Sequence, residues 1–399
     1  MRALFVVPPL TGHVNPTAAV GAELAARGHE VAWAGHPATI TPLLPARARV
    51  FPVIDDALDA KLREERERWL DLRGAAALKF FWEEFVIPLA EAMLPGVLDS
   101  VVAFGPDVIV ADQQALAGAA AARLSGLPWV TSATTPAELL SPLSAMPKVE
   151  EWISGQITSF QVASGVTDPV DLRFSGQLIL MFTTPALMGN PGGADEARAG
   201  SAPGPFPGHW AFTGPALARR PERGTFGWEW LDPARRHVLV SLGTLNGPAG
   251  ERFYRVVTEA LASLGDLLQA VIVGPAPDGT AVPDHLRFTD HVPQLALLPR
   301  MDAVVSHGGH NTVCESLAHG LPLVVTPIRD DQPLVAQQVA DAGAGIRLRF
   351  GRLRAAELRE AVTSVLSDPA YQKAASRIRD SFTAAGGAAA AADHVEKLL

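Results

Sequence analysis

Twice along the chain, short unbroken apolar runs alternate with stretches of helical character, and few architectures accept that rhythm. Residues 3–7 are apolar throughout and end in Pro8 and Pro9. A helix is expected over 16–27, with Asn15 as its cap, Pro16 at its first position and Gly28 as its stop. Residues 30–34 and 107–111 read as strands, 116–124 as a helix and 128–131 as a further strand. Runs that are apolar on both faces and joined through helices are the mark of a parallel sheet covered on both sides. The rhythm restarts in the second half, with strands expected over 237–242, 269–273, 286–289, 303–306 and 322–326, and helices near 354–366, 368–384 and 387–398. Residues 189–207 between the halves have the Gly, Pro, Ala and Ser content of a linker.

The expected fold is therefore α/β, with two doubly wound, Rossmann-like domains. One is residues 1–205, with a last helix near 384–399 packing back on it, and the other is 206–383. Open sheets of this kind bind ligands at the carboxyl ends of their strands. Two such domains are expected to face a cleft, each holding one substrate. A different region interrupts the first domain. Residues 58–73 are charged and helical, 75–102 form a long helical stretch, 148–162 form another, and 136–147 and 163–176 look irregular. Trp69, Phe80, Phe81, Trp82, Phe85, Trp129 and Trp152 lie in or beside it. Most are expected in the core, with Phe81, Trp82 and Phe85 as candidates to line an apolar acceptor pocket.

Composition removes several function classes. Apolar residues make up 48% and charged residues 19%, enough for full cores and unlike a disordered chain. The net charge is −9 with no basic run, which argues against a nucleic-acid partner. One cysteine, Cys314, excludes an internal disulfide and a thiolate-rich metal site, and points to a reducing, cytoplasmic compartment. The opening residues are interrupted by Pro8, Pro9 and Gly12, so they read as a buried strand rather than a signal peptide. No run is expected to stay apolar for the roughly 20 residues of a membrane span.

The richest motif runs from residue 291 to 339. The strand at 303–306 leads into His307-Gly308-Gly309-His310-Asn311-Thr312, a turn that opens a helix. Its glycines let backbone N–H groups approach a ligand, and a helix N-terminus favours an anion. Asn311 and Thr312 add side-chain donors, as a diphosphate cradle requires. Glu315 lies one turn further along, where a carboxylate accepts from ribose hydroxyls. Gly320 ends the helix, and the next strand leads to Asp331 and Gln332, a pair suited to vicinal sugar hydroxyls. In the first half, Thr11-Gly12-His13-Val14-Asn15-Pro16 places His13 in a turn after the first strand, where a neutral imidazole can act as a base. Asp112 follows the strand at 107–111. It is either the carboxylate that orients His13 or the cap of the next helix.

These residues resemble the signature of the family 1 glycosyltransferases with the GT-B fold, of the bacterial antibiotic and macrolide type and the plant secondary-product type. The matching series is Pro293-Gln294, Asp302, the turn from His307 to Thr312, Glu315, Gly320-Leu321-Pro322 and Asp331-Gln332. The resemblance implies a donor set in which His307, Gly308, Gly309, Asn311 and Thr312 meet the diphosphate and Glu315 the ribose. Asp331 and Gln332 meet the transferred sugar, Val292 meets the base through its backbone, and Gln294 belongs to the same set. Ser241, Gly243 and Thr244 form a loop that contacts phosphate in the family. Many relatives carry Trp where this chain has His291, which leaves the base open between uridine and thymidine. The family's Gly-His-x-x-Pro histidine corresponds to His13, its catalytic base, with Asp112 as partner.

The implied reaction is an inverting, metal-independent transfer of a hexose or deoxyhexose. The donor is a UDP- or dTDP-sugar, used as a co-substrate with no permanently bound cofactor. The acceptor is a hydroxyl of a hydrophobic natural product. Few lysines among many arginines and alanines suggest a high-GC bacterium and secondary metabolism. A monomer or homodimer is expected. A nicotinamide enzyme would need Gly-x-Gly-x-x-Gly after the first strand, and a serine hydrolase Gly-x-Ser-x-Gly; the chain has neither. His307 and His310 lack the carboxylates of a metal hydrolase. The alternative is a non-catalytic or epimerase-type nucleotide-sugar binding protein.

Overall fold

The structure is a computed structural model. It describes all residues except 71, 73, 136, 137, 140–145, 190–207, 218–225 and 244–248. The expected join near residue 200, and part of the irregular stretch after 136, lie outside the described residues. The chain forms two compact units. The first takes in Met1–Thr183, the segment around β7 and Ala385–Leu399; the second takes in residues 184–189 and the described residues from 226 to 384.

The first unit holds a seven-stranded parallel sheet, ordered β3-β2-β1-β4-β5-β6-β7. Its strands are β1 (Arg2–Val6), β2 (Glu30–Gly35), β3 (Arg49–Pro52), β4 (Val108–Asp112), β5 (Trp129–Ala133), β6 (Leu178–Met181) and β7 (Trp210–Phe212). The longer helices between them are α1 (Thr11–Ala26), α2 (Asp56–Leu70), α3 (Gly74–Phe104), α4 (Leu116–Ser125) and α5 (Pro147–Ala163). Side chains alternate across each strand, so each face builds its own core. Leu4, Val6, Ile109 and Ala111 join α3 and α4 on one face. Phe5, Val108, Val110 and Val130 join α1 on the other.

The second unit repeats the plan with six parallel strands, ordered β10-β9-β8-β11-β12-β13. They are β8 (Arg236–Ser241), β9 (Leu268–Val273), β10 (Leu286–Thr289), β11 (Ala303–Ser306), β12 (Leu323–Val325) and β13 (Gly345–Arg347). Helices α6 (Ala249–Leu261) and α9 (Ala355–Ser367) cover one face, and α7 (His310–Ala318), α8 (Gln332–Asp341) and α10 (Pro369–Ala385) the other. The last helix, α11 (Gly387–Lys397), packs on α1 within the first unit. There Arg27 bonds Asp393 and Glu396, and Ala391, Ala392 and Val395 are buried.

Two readings change. First, α1 begins at Thr11 rather than Pro16, because the N–H groups of His13 and Val14 already bond the carbonyl of Leu10. Pro16 sits inside the helix, where its ring faces the carbonyl of Gly12, four residues back. Second, α3 is long and apolar enough to cross a membrane by length and composition. Its residues Leu89, Ala90, Met93, Leu94 and Val97 lie in the core, while Glu91 and Asp99 sit on its exposed side.

Candidate functional site

The sheet order brings together what the sequence separates. β1 pairs with β4, and α1 leaves from the carboxyl end of β1. His13, in the first turn of α1, therefore meets Asp112, the last residue of β4. Its Nδ1 lies 2.9 Å from Oδ1 and 3.0 Å from Oδ2. The Asp112 side chain is fully buried, and that of His13 is 12% exposed. A carboxylate accepts hydrogen bonds, so Nδ1 carries a ring proton, and in the neutral ring the lone pair falls on Nε2. Asp112 does not cap the next helix: α4 starts at Leu116 with Ala115 as its cap residue. Instead, Asp112 Oδ1 accepts from the Gln114 N–H at 2.9 Å. Thr134, which the sequence reading passed over, completes the cluster. Its Oγ lies 2.8 Å from Asp112 Oδ2 and 2.7 Å from His13 Nδ1. Its place just past β5, at the same end of the sheet, was the available signal.

In the second unit, β11 turns through His307, Gly308 and Gly309 into α7. Gly308 has φ +88°, and a methyl there would lie 2.8 Å from Val325 Cγ1. Gly309 has an ordinary φ but no room, because its methyl would lie 2.8 Å from His307 Cε1. From the other side, a methyl on Gly243 would lie 2.7 Å from the same atom. The imidazole thus fills the space the two glycines leave open. Burial there pushes the His307 pKa down to about 4, against a hydrogen bond with the Ser241 backbone that acts to raise it. At neutral pH the ring is uncharged. Helix α7 has no acidic residue in its first turn, so none of its own first-turn side chains offsets the positive end of its dipole. Asn311 is partly buried and Thr312 is buried on that turn.

Glu315 is buried, and Gln294 Nε2 donates to its Oε2 at 2.6 Å. Val292 is buried in the core cluster just before. Gln332 is buried too, and its Oε1 accepts from the N–H groups of Ile328 and Arg329 at 2.9 and 3.1 Å. Its carbonyl end therefore shapes the loop. Asp331 is the cap residue of α8, and Asp330 beside it has φ +54°, uncommon for a residue other than glycine. Thr244 lies outside the described residues.

The three acceptor candidates fall in a π-helical turn of α3, Phe81–Val86. Phe81 stacks on Trp69 at 5.5 Å and on Phe85 at 5.8 Å, and meets Trp82 edge-on. Trp82 and Phe85 are buried in the core, whereas Phe81 is only partly covered. Among the described residues, no group of three His, Cys, Asp or Glu side chains gathers as a metal centre would.

Residues 258–398 match the family model described as Erythromycin biosynthesis protein CIII-like, C-terminal domain. The demethyllactenocin mycarosyltransferase of Streptomyces fradiae is 30% identical over 99% of this chain and 86% of its own length. The NDP-glycosyltransferase YjiC of Bacillus licheniformis is 28% identical over 100% of this chain and 97% of its own. The crystal structure of the glycotransferase of kitacinnamycin superposes with a TM-score of 0.73 at 26% identity, covering 100% of this chain and 98% of that one. With the two parallel sheets and full-length likeness to a mycarosyltransferase, the chain belongs to the antibiotic and macrolide glycosyltransferases of the GT-B fold.

Proposed function

We propose that this glycosyltransferase moves a hexose or deoxyhexose from a UDP- or dTDP-sugar to a hydroxyl of a hydrophobic natural product, with inversion at the anomeric carbon. The observation that carries this reading is the His13–Asp112 pair, with Nδ1 held by the carboxylate, which makes Nε2 the basic nitrogen of the neutral ring. The acceptor hydroxyl gives its proton to Nε2 as its oxygen bonds the anomeric carbon. The bond from that carbon to the diphosphate oxygen breaks, and the nucleoside diphosphate leaves with the electron pair. Asp112 stabilises the imidazolium that forms. The charge growing on the diphosphate is met by the N-terminus of α7, by the uncharged His307 and by the Gly309–Thr312 turn. Glu315 takes the ribose, Asp331 and the Gln332 amide take the sugar, and Val292 takes the base. No step calls for a metal.

Two relatives of this chain are a mycarosyltransferase and an NDP-glycosyltransferase, which supports a nucleotide-linked donor. A non-catalytic nucleotide-sugar binder would need the turn of the second unit but not the His13–Asp112 pair of the first. The test is calorimetric titration with UDP and with dTDP in EDTA, followed by an acceptor screen with sugars on the tighter nucleotide. Binding of neither nucleotide by the folded protein overturns the donor assignment. A product that keeps the donor's anomeric configuration overturns the single displacement.

A further inference from the structure

We propose that Thr134 is a positioning residue for the reaction, fixing how the Asp112 carboxylate holds His13 and so setting the proton affinity of Nε2. The proposal rests on His13 being the base. Asp112 and Ser132 are register partners on β4 and β5. Thr134 lies one residue past the end of β5, where a turn brings its hydroxyl to the Asp112 carboxylate.

The hydroxyl has a single proton, and Asp112 Oδ2, at 2.8 Å, can only accept it. Oδ1 already accepts from the Gln114 N–H. Each carboxylate oxygen thus takes one donor besides the imidazole, and the group cannot rotate without losing one. The Nδ1–H of His13 is shared between Asp112 and the Thr134 oxygen at 2.7 Å.

The loop that carries Thr134 is itself fastened. Its N–H bonds the Ser132 carbonyl at 3.1 Å. Next to it, the Thr135 N–H donates to Gln113 Oε1 at 3.1 Å, and Gln113 Nε2 returns a bond to the Thr135 carbonyl at 3.4 Å. Both Gln113 and Thr134 are buried.

A hydroxyl donating to a carboxylate disperses its charge and weakens its hold on the imidazolium. Removing that hydroxyl loosens the carboxylate and concentrates its charge on His13. In Thr134→Val, kcat is expected to fall about 10-fold, the share of one hydrogen bond to a charged group. KM for the donor should stay near the wild-type value. The acid limb of the kcat/KM profile should move to higher pH, because the gain in carboxylate charge at Nδ1 outweighs the loss of the neutral hydroxyl oxygen as a second acceptor, and a merely structural role would not produce that shift. Thr134→Ser should restore both. If the valine variant does not fold, Thr134→Ala carries the same test.

An acid limb that does not move, or a serine variant no better than valine, overturns the proposal. His13→Ala separates the two readings. If that variant stays active, the base assignment fails. If it is inactive while Thr134→Val behaves as wild type, only the role of Thr134 fails.

Discussion

The two units reach their sites by opposite routes. In the second unit the proposed donor residues lie close in sequence, from Val292 to Gln332, on consecutive strand-to-helix turns. In the first, the pair is assembled from His13 and Asp112, which are 99 residues apart, with Thr134 22 residues further on. A local site depends on turn chemistry. A dispersed site depends on sheet order and register. The contrast suggests that the second unit will be sensitive to added volume at its glycines, and the first to the loss of single polar atoms.

The largest expected effect tests the dispersed site. His13→Ala should lower turnover by roughly 10²–10⁴-fold while UDP or dTDP still binds, as read by steady-state kinetics beside calorimetry. Near-normal turnover would remove the base assignment. In the second unit, Gly309→Ala drives a methyl against the His307 ring. Nucleotide affinity should fall by about 10-fold or more, with acceptor binding little affected. An unchanged dissociation constant would show that the turn does not hold the diphosphate.

The pH response sharpens the same contrast. His307 takes its proton only near pH 4 in the folded chain, whereas the unfolded chain takes it near the ordinary value of 6.5. Between those values the unfolded state binds more protons, so stability falls as the solution is acidified. The contribution is complete above about pH 6.5 and is lost as pH drops toward 4. It amounts to on the order of 3 kcal/mol by that point. Urea midpoints for wild type and His307→Phe, taken from pH 7 to pH 5, should converge on acidification. Parallel curves would show that His307 is not the group responsible. Gln294→Leu takes away a hydrogen bond to the buried Glu315 and should cost about 1–3 kcal/mol. A melting temperature matching wild type would show that contact to be dispensable. The smallest effect is that of EDTA, which should leave turnover where it was. A loss restored by magnesium would contradict a metal-independent donor site.

The chain's own letters carried the fold class well, because long apolar runs separated by helices leave few alternatives. The strands at 286–289 and 303–306 were legible to the residue. The reading passed over β3, β6, β7 and β13, three or four residues each, which take their strand character from the neighbour they pair with. It also placed the start of α1 too late, because Pro16 looks like a first helical residue and is instead accommodated in the second turn.

By itself, the sequence determined the alternation that makes two parallel sheets, and the His307–Thr312 turn into α7. Those features depend on neighbours in the chain: unbroken apolar runs, glycine where the backbone needs it, and a polar helix start. Tertiary structure alone decided that Asp112 orients His13 rather than capping a helix, that Thr134 joins them, and that the Gln332 carbonyl is bound into its own loop. These outcomes turn on which strand lies beside which and on which hydrogen-bond donor arrives from elsewhere in the fold. A donor brought in across a sheet leaves no mark on the residues adjacent to its acceptor.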